Sequence, residues 1–196
     1  MREQEEDMWN KFVSGDKTAF ASIYNLYVDS LFSYGMRVFS NKDFVKDCIQ
    51  DVFLDIYEHR KQLSIPKNIN HYLFVALKRT MFRKLKKERK KEDFSESDSF
   101  KFITEHNIES KTIDKEVKDY QNKLISHIVK ELTSKQQEIL YLRFSKGFDY
   151  MEISEIINID HNSVRKQVYR AIKKLRQNNA FKSISEIIIF YALLDS

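Results

Sequence analysis

Apolar residues recur along most of this chain at spacings of three and four positions, a pattern typical of helices with one buried face. The periodic stretches predict helices over about residues 16–36, 43–62, 70–91, 133–146, 149–157 and 160–177, and periodicity also returns over residues 117–128. Asp16 can cap the first of these helices, and Thr133 with Gln136 has the spacing of a capping box. Only 3 glycines and 1 proline occur in 196 residues, which argues against a turn-rich sheet fold. The predicted fold class is all-α, with two small helical domains joined by a flexible linker.

Periodicity is lost between residues 92 and 113, where the sequence is polar, serine-rich and net acidic. This composition predicts a flexible linker between an N-terminal domain, residues 1–91, and a C-terminal domain, residues 114–180. Residues 181–196 form an apolar tail that is too short to span a bilayer. We expect the tail to dock back onto a helical domain, and contact with a partner or a membrane surface is the alternative.

The segment from Asp149 to Gln177 predicts two helices joined by a short turn. Asp149 and Glu152 have the spacing of a capping box, Asn158 suits a left-handed turn residue, and Asp160 can cap the second helix. That second helix has one apolar arc, formed by Val164, Val168, Ala171, Ile172 and Leu175, and one cationic arc, formed by Arg165, Lys166, Arg170, Lys173, Lys174 and Arg176. This arrangement is typical of a DNA-binding helix-turn-helix; the alternative is a helical hairpin with a solvated basic face.

The helix predicted over residues 43–62 has an acidic arc opposite its apolar one. The acidic arc comprises Asp43, Asp47, Asp51, Asp55 and Glu58, and the apolar arc Val45, Cys48, Ile49, Val52 and Ile56. Like charges four residues apart each cost a helix a few tenths of a kcal/mol. The acidic arc is therefore either a solvent-exposed face or a docking face for a basic partner.

The helix predicted over residues 70–91 has a core stripe of Leu73, Leu77, Met81 and Leu85 and becomes densely basic from Lys78 onward. Tyr72 and Phe82 lie among its basic side chains. Aromatic rings interleaved with cations suit single-stranded or melted DNA, because bases stack on the rings. The alternative is that these two rings complete a core with the N-terminal helix.

Charge, cysteine content and the lack of apolar runs indicate where in the cell the protein is expected. The net charge is only +5, so the distribution of charge along the chain is a better indicator of nucleic-acid binding than the net charge. The single cysteine, Cys48, excludes an internal disulfide and fits a reducing cytoplasm. The acidic N-terminus lacks the apolar core of a signal peptide, and no apolar run approaches a membrane span. We therefore expect a cytoplasmic protein that does not span a membrane.

No catalytic set occurs in the sequence. The 5 histidines are scattered without metal-ligand spacing, there is no glycine-rich phosphate loop, and the carboxylates form a stripe with no paired acid and base. The sequence therefore predicts that the protein is not an enzyme and has no metal, cofactor or small-molecule substrate.

The order of an acidic helix, a basic-aromatic helix, a linker and a helix-turn-helix resembles the two-domain sigma factors of bacterial RNA polymerase, the extracytoplasmic-function (ECF) group of the sigma-70 family. The likeness covers about residues 10–178. DCIQDVFLDIYEHR, residues 47–60, resembles the family's region that binds the polymerase β′ coiled coil. Residues 132–176 resemble region four, which reads the −35 promoter element and touches the β flap.

The resemblance implies roles for the matching residues. Polymerase binding would involve Asp47, Gln50, Asp51, Phe53 and Asp55. Melting and reading of the −10 element would involve Lys67, Asn68, Asn70, Tyr72, Lys78, Arg79, Phe82, Arg83 and Lys86. The recognition helix would face the −35 element with His161, Asn162, Ser163, Arg165, Lys166, Arg170 and Lys173.

The chain departs from the family pattern at several of these positions. Arg79 and Arg83 stand where the family often has Asn and Asp, and Tyr72 stands where it has Trp. Asn158 replaces the glycine of the turn. The resemblance therefore implies DNA binding at the −10 element without carrying over the family's sequence preference there.

The implied function is that of a sigma factor with core RNA polymerase, promoter DNA and an anti-sigma factor as partners. One alternative is a helix-turn-helix regulator that binds operators without acting as a polymerase subunit. Such a regulator needs a sensing or dimerising N-terminal domain, and a second nucleic-acid surface in residues 70–91 argues against it. A helical adaptor that binds acidic proteins is a further alternative.

Overall fold

The computed structural model describes residues 2–89, 102 and 131–177, and the chain divides into two compact units, residues 1–97 and 98–196. All the regular elements within the described ranges are helical, which confirms the predicted all-α class. No helix in these ranges is long and apolar enough to cross a membrane. The predicted boundaries at residues 91, 113 and 180, the periodic stretch 117–128 and the apolar tail lie outside the described residues, so those boundaries remain predictions.

Within residues 2–89, the N-terminal unit contains four helices: α1 (Arg2–Val13), α2 (Lys17–Val38), α3 (Lys42–His59) and α4 (Ile69–Arg89). A single 3₁₀ turn, Arg60–Gln62, follows α3. The predicted apolar stripes of α3 and α4 are buried, which confirms their orientation; they comprise Val45, Cys48, Ile49, Val52, Ile56, Leu73, Leu77, Met81 and Leu85.

Short polar side chains begin three of these helices. The backbone amides of Thr18 and Ala19 donate to the carboxylate of Asp16, as predicted. Asn41 accepts from the amide of Phe44, and Asn68 accepts from the amide of His71 at 3.1 Å. Each cap satisfies a backbone donor that the first helical turn leaves without a partner.

The helix α1 was not predicted, because its acidic first half lacks apolar periodicity. Its only large apolar anchors are Trp9 and Phe12, which are both buried. The Trp9 ring meets the Tyr72 ring edge-on, with centroids 5.7 Å apart, and Phe12 stacks on Phe20 at 5.5 Å. These long-range aromatic contacts hold α1 against α2 and α4.

Helices α2 and α3 approach each other closely at Gly35, which lies inside α2. A Cβ atom added at Gly35 would lie 2.6 Å from Cγ1 of Val45 on α3, and Val45 is fully buried. Glycine normally weakens a helix interior, so the close approach of the two helices explains its presence here.

We expect Gly35→Ala to destabilise the N-terminal unit by about 1–3 kcal/mol, because overpacking outweighs the gain in helix propensity. Thermal unfolding followed by circular dichroism measures the change. Val45→Ala removes the obstructing methyl groups, so the double variant should be more stable than the sum of the two single changes predicts. A higher melting temperature for Gly35→Ala alone would contradict the packing argument.

The C-terminal unit contains α5 (Ser134–Leu140), a π-helical turn (Tyr141–Ser145), α6 (Tyr150–Ile157) and α7 (His161–Gln177). Both predicted capping boxes are confirmed, at Thr133 with Gln136 and at Asp149 with Glu152. The π-helical turn was not predicted. It is followed by Gly147 at φ 75°, where a left-handed conformation favours glycine.

One residue of the predicted linker is part of the C-terminal core. Phe102 is buried, and its ring lies 5.4 Å from that of Tyr141, centroid to centroid. At Phe102 the segment 92–113 is therefore ordered against the C-terminal unit. The other residues of the predicted linker lie outside the described residues, so the linker remains a prediction.

Candidate functional site

The helix-turn-helix is formed by α6, a short turn and α7. Asn158 adopts φ 52° and ψ 54°, which confirms the predicted left-handed turn residue. The Asp160 carboxylate accepts from the amide of Ser163 at 2.9 Å and so caps α7. Because these interactions are local, the sequence determines both the position of the turn and the start of α7.

The two faces of α7 differ in exposure, although Ile172 of the predicted apolar arc is only half-buried. Val164, Val168, Ala171 and Leu175 are buried against the rest of the unit. The side chains on the other side are exposed and include Asn162, Ser163, Arg165, Lys166, Arg170, Lys173, Lys174 and Arg176. No acidic residue lies within α7. A cationic, exposed helix face of this kind can lie along a polyanion or in the major groove of DNA.

His161 and Lys174, on the polar side of α7, contact other parts of the C-terminal unit. His161 is half-buried, with its ring 6.4 Å from that of Tyr150. The ammonium of Lys174 donates to the backbone carbonyl of Glu131, so this lysine ties α7 to the segment before α5. Lys173 is exposed in the way that the sequence predicts.

Tyr169 lies on the exposed face of α7 and is not among the predicted DNA-binding residues. Its side chain is 69% exposed. It is three residues from Lys166 and four from Lys173, spacings that place the three side chains side by side on a helix. That spacing was the signal available in the sequence, because Tyr169 does not belong to the apolar stripe.

The acidic arc of α3 lies on the surface of the N-terminal unit. Asp47, Gln50 and Asp55 are exposed, as polymerase-contacting residues would need to be. Asp51 differs from them, because its carboxylate contacts the ammonium of Lys84 on α4 at 2.7 Å. The arc is therefore linked to the neighbouring helix by an ion pair at Asp51, and the charge of Asp47 also acts on Lys84.

Phe53, also assigned to polymerase binding, is only 3% exposed. Its ring packs on those of Tyr24, at 4.9 Å, and Phe20, at 6.1 Å. These rings line an open groove of 720 Å³ between α2 and α3, beside Gln50 and Leu54. Phe53 thus shapes an apolar groove next to the acidic arc instead of projecting from the arc.

The basic helix α4 presents several of its predicted DNA-binding residues to solvent. Arg79, Arg83 and Lys86 are exposed, and the Phe82 ring is 44% exposed among them. Lys78 does not share that exposure and is only 7% exposed. Its ammonium lies 5.3 Å from the Phe82 ring centroid and 5.8 Å from that of Tyr34, so its aliphatic stem crosses the core surface.

The start of α4 combines exposed and packed residues. Lys67 is exposed in the preceding loop, whereas Asn68 is partly buried and caps the helix. Asn70 is also partly buried, and among the described residues its Oδ1 atom has no hydrogen-bond partner. Burial, and next the charge of Asp55, raise the pKa of the Tyr72 hydroxyl. Tyr72 is half-buried and packs on Trp9, so this ring has the core role that was its alternative, although its partner is α1 and not the helix predicted over residues 16–36.

The described residues contain no group of three His, Cys, Asp or Glu side chains that could hold a metal ion. The candidate binding surfaces among the described residues are the acidic arc of α3 with its groove, the exposed cations of α4, and the cationic face of α7. The first two lie on the N-terminal unit and the third on the C-terminal unit.

A protein-family model described as sigma-70, region 4 matches residues 123–175, a range that includes α5, α6 and all but the last two residues of α7. The ECF RNA polymerase sigma factor SigM of Bacillus subtilis is 22% identical over 154 residues, which cover 79% of this chain and 91% of SigM. The ECF RNA polymerase sigma factor SigW of the same organism is 23% identical over 174 residues, covering 83% of this chain and 90% of SigW.

Two solved structures share the fold. The sigma factor RpoE from Bartonella quintana, solved in complex with the anti-sigma factor NepR, has a TM-score of 0.57 and 19% identity, covering 84% of this chain and 98% of that chain. CnrH, solved in complex with the cytosolic domain of CnrY, has a TM-score of 0.55 and 14% identity, covering 88% of this chain and 95% of that chain. Residues 123–175 thus match sigma-70 region 4, the chain as a whole is similar to ECF RNA polymerase sigma factors, and it shares the all-helical fold of the two solved structures.

Proposed function

We propose that this protein binds core RNA polymerase and directs it to specific promoters, without catalysing a reaction itself. The observation that carries the proposal is α7, whose apolar face is buried and whose cationic face is free of acidic residues, within the stretch that matches sigma-70 region 4. Promoter DNA and the polymerase are in the bacterial cytoplasm, so this is where the protein acts.

The −35 element is read by α7. Residues in the first turns of a recognition helix reach base edges, and later cations contact phosphates. Arg165, Lys166 and Arg170 are exposed and can reach bases or phosphates, with Asn162 and Ser163 at the helix start. Tyr169 adds an exposed ring between the cations.

The −10 element is bound by α4 and its preceding loop. Arg79, Arg83 and Lys86 provide exposed cations for the phosphates, and Phe82 provides a ring on which an unstacked base can lie. A stacked base contributes about 1–3 kcal/mol to single-strand binding. Tyr72 is half-buried and Lys78 is buried, so these two residues support the DNA-binding surface and do not project from it.

Polymerase docking uses the acidic arc of α3 and the apolar groove beside it. Asp47, Gln50 and Asp55 provide exposed polar groups, and Phe53 forms part of the groove wall. A basic, amphipathic helical partner such as a coiled coil fits this surface, because its cations pair with the acidic arc and its apolar side chains enter the groove.

The polymerase β flap is the partner of the C-terminal unit.

An anti-sigma factor is the proposed regulator. RpoE of Bartonella quintana, which shares the fold, was solved with an anti-sigma factor bound. A regulator that covers the α3 arc and groove would compete directly with polymerase.

In vitro transcription with core polymerase tests the proposed function. The protein should give a transcript with a unique start on a promoter mapped by overexpression, and core polymerase alone should not. Specific DNA binding without stimulation of core polymerase would instead support a helix-turn-helix regulator.

We expect Arg165→Ala and Lys166→Ala to weaken binding of the holoenzyme to its −35 element. A lost base contact lowers discrimination by about 1–3 kcal/mol at one base pair, and a lost phosphate contact reduces the salt slope by about 1 for all sequences. Filter binding over a salt series separates the two cases, and Lys17→Ala, an exposed cation at the start of α2, is the matched control. Unchanged affinity, specificity and slope in both variants would show that α7 does not enter the groove.

A further inference from the structure

The ion pair between Lys84 and Asp51 joins the DNA-facing helix α4 to the polymerase-facing helix α3. The Nζ atom of Lys84 lies 2.7 Å from Oδ2 of Asp51, and the two side chains are 29% and 41% exposed. Lys84 therefore turns toward α3, whereas Arg83 and Lys86 on the same helix are exposed. The sequence groups all three as members of one basic run.

This pair contributes little to folding stability. A pair that is partly exposed to water gains only a modest Coulomb energy, and part of that gain is lost in ordering two side chains. Burial lowers the pKa of Lys84, but the hydrogen bond and charge of Asp51 raise it, and the net result is a pKa above the usual value. Lys84 is therefore fully charged at neutral pH.

The ion pair restricts the conformations of the Asp51 side chain. A flexible carboxylate on a helix surface samples several rotamers, and binding to a partner must freeze one of them. Lys84 holds Oδ2 in place before any partner arrives. A carboxylate has about four acceptor positions, so a hydrogen bond from Lys84 leaves Asp51 capacity to accept from a basic group of a partner.

We propose that Lys84 is a positioning residue for polymerase docking, which fixes the Asp51 carboxylate for its partner, and that it is not a DNA contact. This inference rests on the proposed function, because it takes the α3 arc as the polymerase-docking face. A basic group of the partner that binds the other acceptor positions of Asp51 lies within the screening length of about 8 Å from Lys84, so repulsion between the two cations opposes the ordering effect. The Asp51 carboxylate lies between the two cations and attracts both, so we expect the ordering of Asp51 to decide the sign of the effect.

The full-length protein and its variants are titrated against core polymerase at physiological salt. Lys84→Gln should weaken binding by about two- to ten-fold, the range expected for one side chain that must be ordered on binding. Lys84→Arg keeps the charge and reach and should stay within about two-fold of the unmodified protein. The matched control is Lys11→Gln, which removes one charge and an exposed pair with Asp7 on α1 and should leave binding unchanged.

A double-mutant cycle with Asp51→Asn distinguishes positioning from a general effect. If Lys84 acts through Asp51, then Lys84→Gln should have no further effect on polymerase binding in the Asp51→Asn protein. The salt slope of promoter binding by the Lys84→Gln holoenzyme should also be unchanged, because no phosphate contact is lost.

Several results would overturn the inference alone, given that the unmodified protein binds core polymerase. They are unchanged or tighter binding by Lys84→Gln, an equal loss in the Asp51→Asn background, or a promoter salt slope reduced by about 1. If the unmodified protein does not bind core polymerase, the proposed function fails first and the inference fails with it.

Discussion

Replacing Asp47 with Lys should weaken binding to core RNA polymerase by about a hundred-fold or more while the fold persists. Asp47 is exposed on the acidic arc of α3, so the new lysine faces solvent and not the core. Truncating one member of a desolvated interfacial charge pair costs about 2–5 kcal/mol, and reversing the charge adds repulsion from the basic partner. Co-purification with core polymerase and a binding titration measure the loss.

The choice of Asp47 follows from the structure. Reversal of Asp51 would place two ammonium groups together at Lys84 and would also break the pair between α3 and α4, so it would not test docking alone. Glu6→Lys makes the same charge change at an exposed site on α1 and should bind polymerase normally. If Asp47→Lys binds core polymerase as tightly as Glu6→Lys and both keep native circular dichroism, the arc is not the docking face.

We expect Val168→Asp to unfold the C-terminal unit. Val168 lies on the buried face of α7 and is only 3% exposed. An unpaired carboxylate there costs about 3–5 kcal/mol or more, because it loses hydration without gaining a partner. That cost is a large fraction of the 5–15 kcal/mol that stabilises a typical domain. Thermal melts should lose the transition of the C-terminal unit and keep that of the N-terminal unit.

Lys166→Asp is the control for this change. It introduces the same side chain on the same helix, but at an exposed position. This variant should fold and lose only DNA binding. A Val168→Asp protein with an unchanged melting profile would show that the apolar face of α7 is not part of the unit's core.

The helix starts were predictable because their causes lie within four residues. Asp16, Thr133 and Asp149 each accept a hydrogen bond from an amide two or three positions further along the chain. The left-handed conformation of Asn158 is equally local. Such interactions depend on residue type and spacing, which the sequence states directly.

The helix α1 was not predictable in the same way. The first half of its sequence is acidic, and its helical state depends on burying Trp9 and Phe12 against rings from other helices. A short helix gains most of its stability from tertiary packing and not from propensity. Phe102 is a similar case, because its burial depends on Tyr141, 39 positions along the chain.

The sequence by itself determined the all-α class, the helix-turn-helix, and which arcs of α3, α4 and α7 are apolar, because periodicity and capping are local properties of the chain. Only the tertiary structure decided which polar or aromatic side chains on those helices remain available to a partner. Lys78 is covered, Phe53 lines a groove, and Lys84 is engaged by Asp51. Periodicity defines the arc on which a side chain lies, but the neighbouring helix decides whether that arc faces solvent, an aromatic ring or a carboxylate.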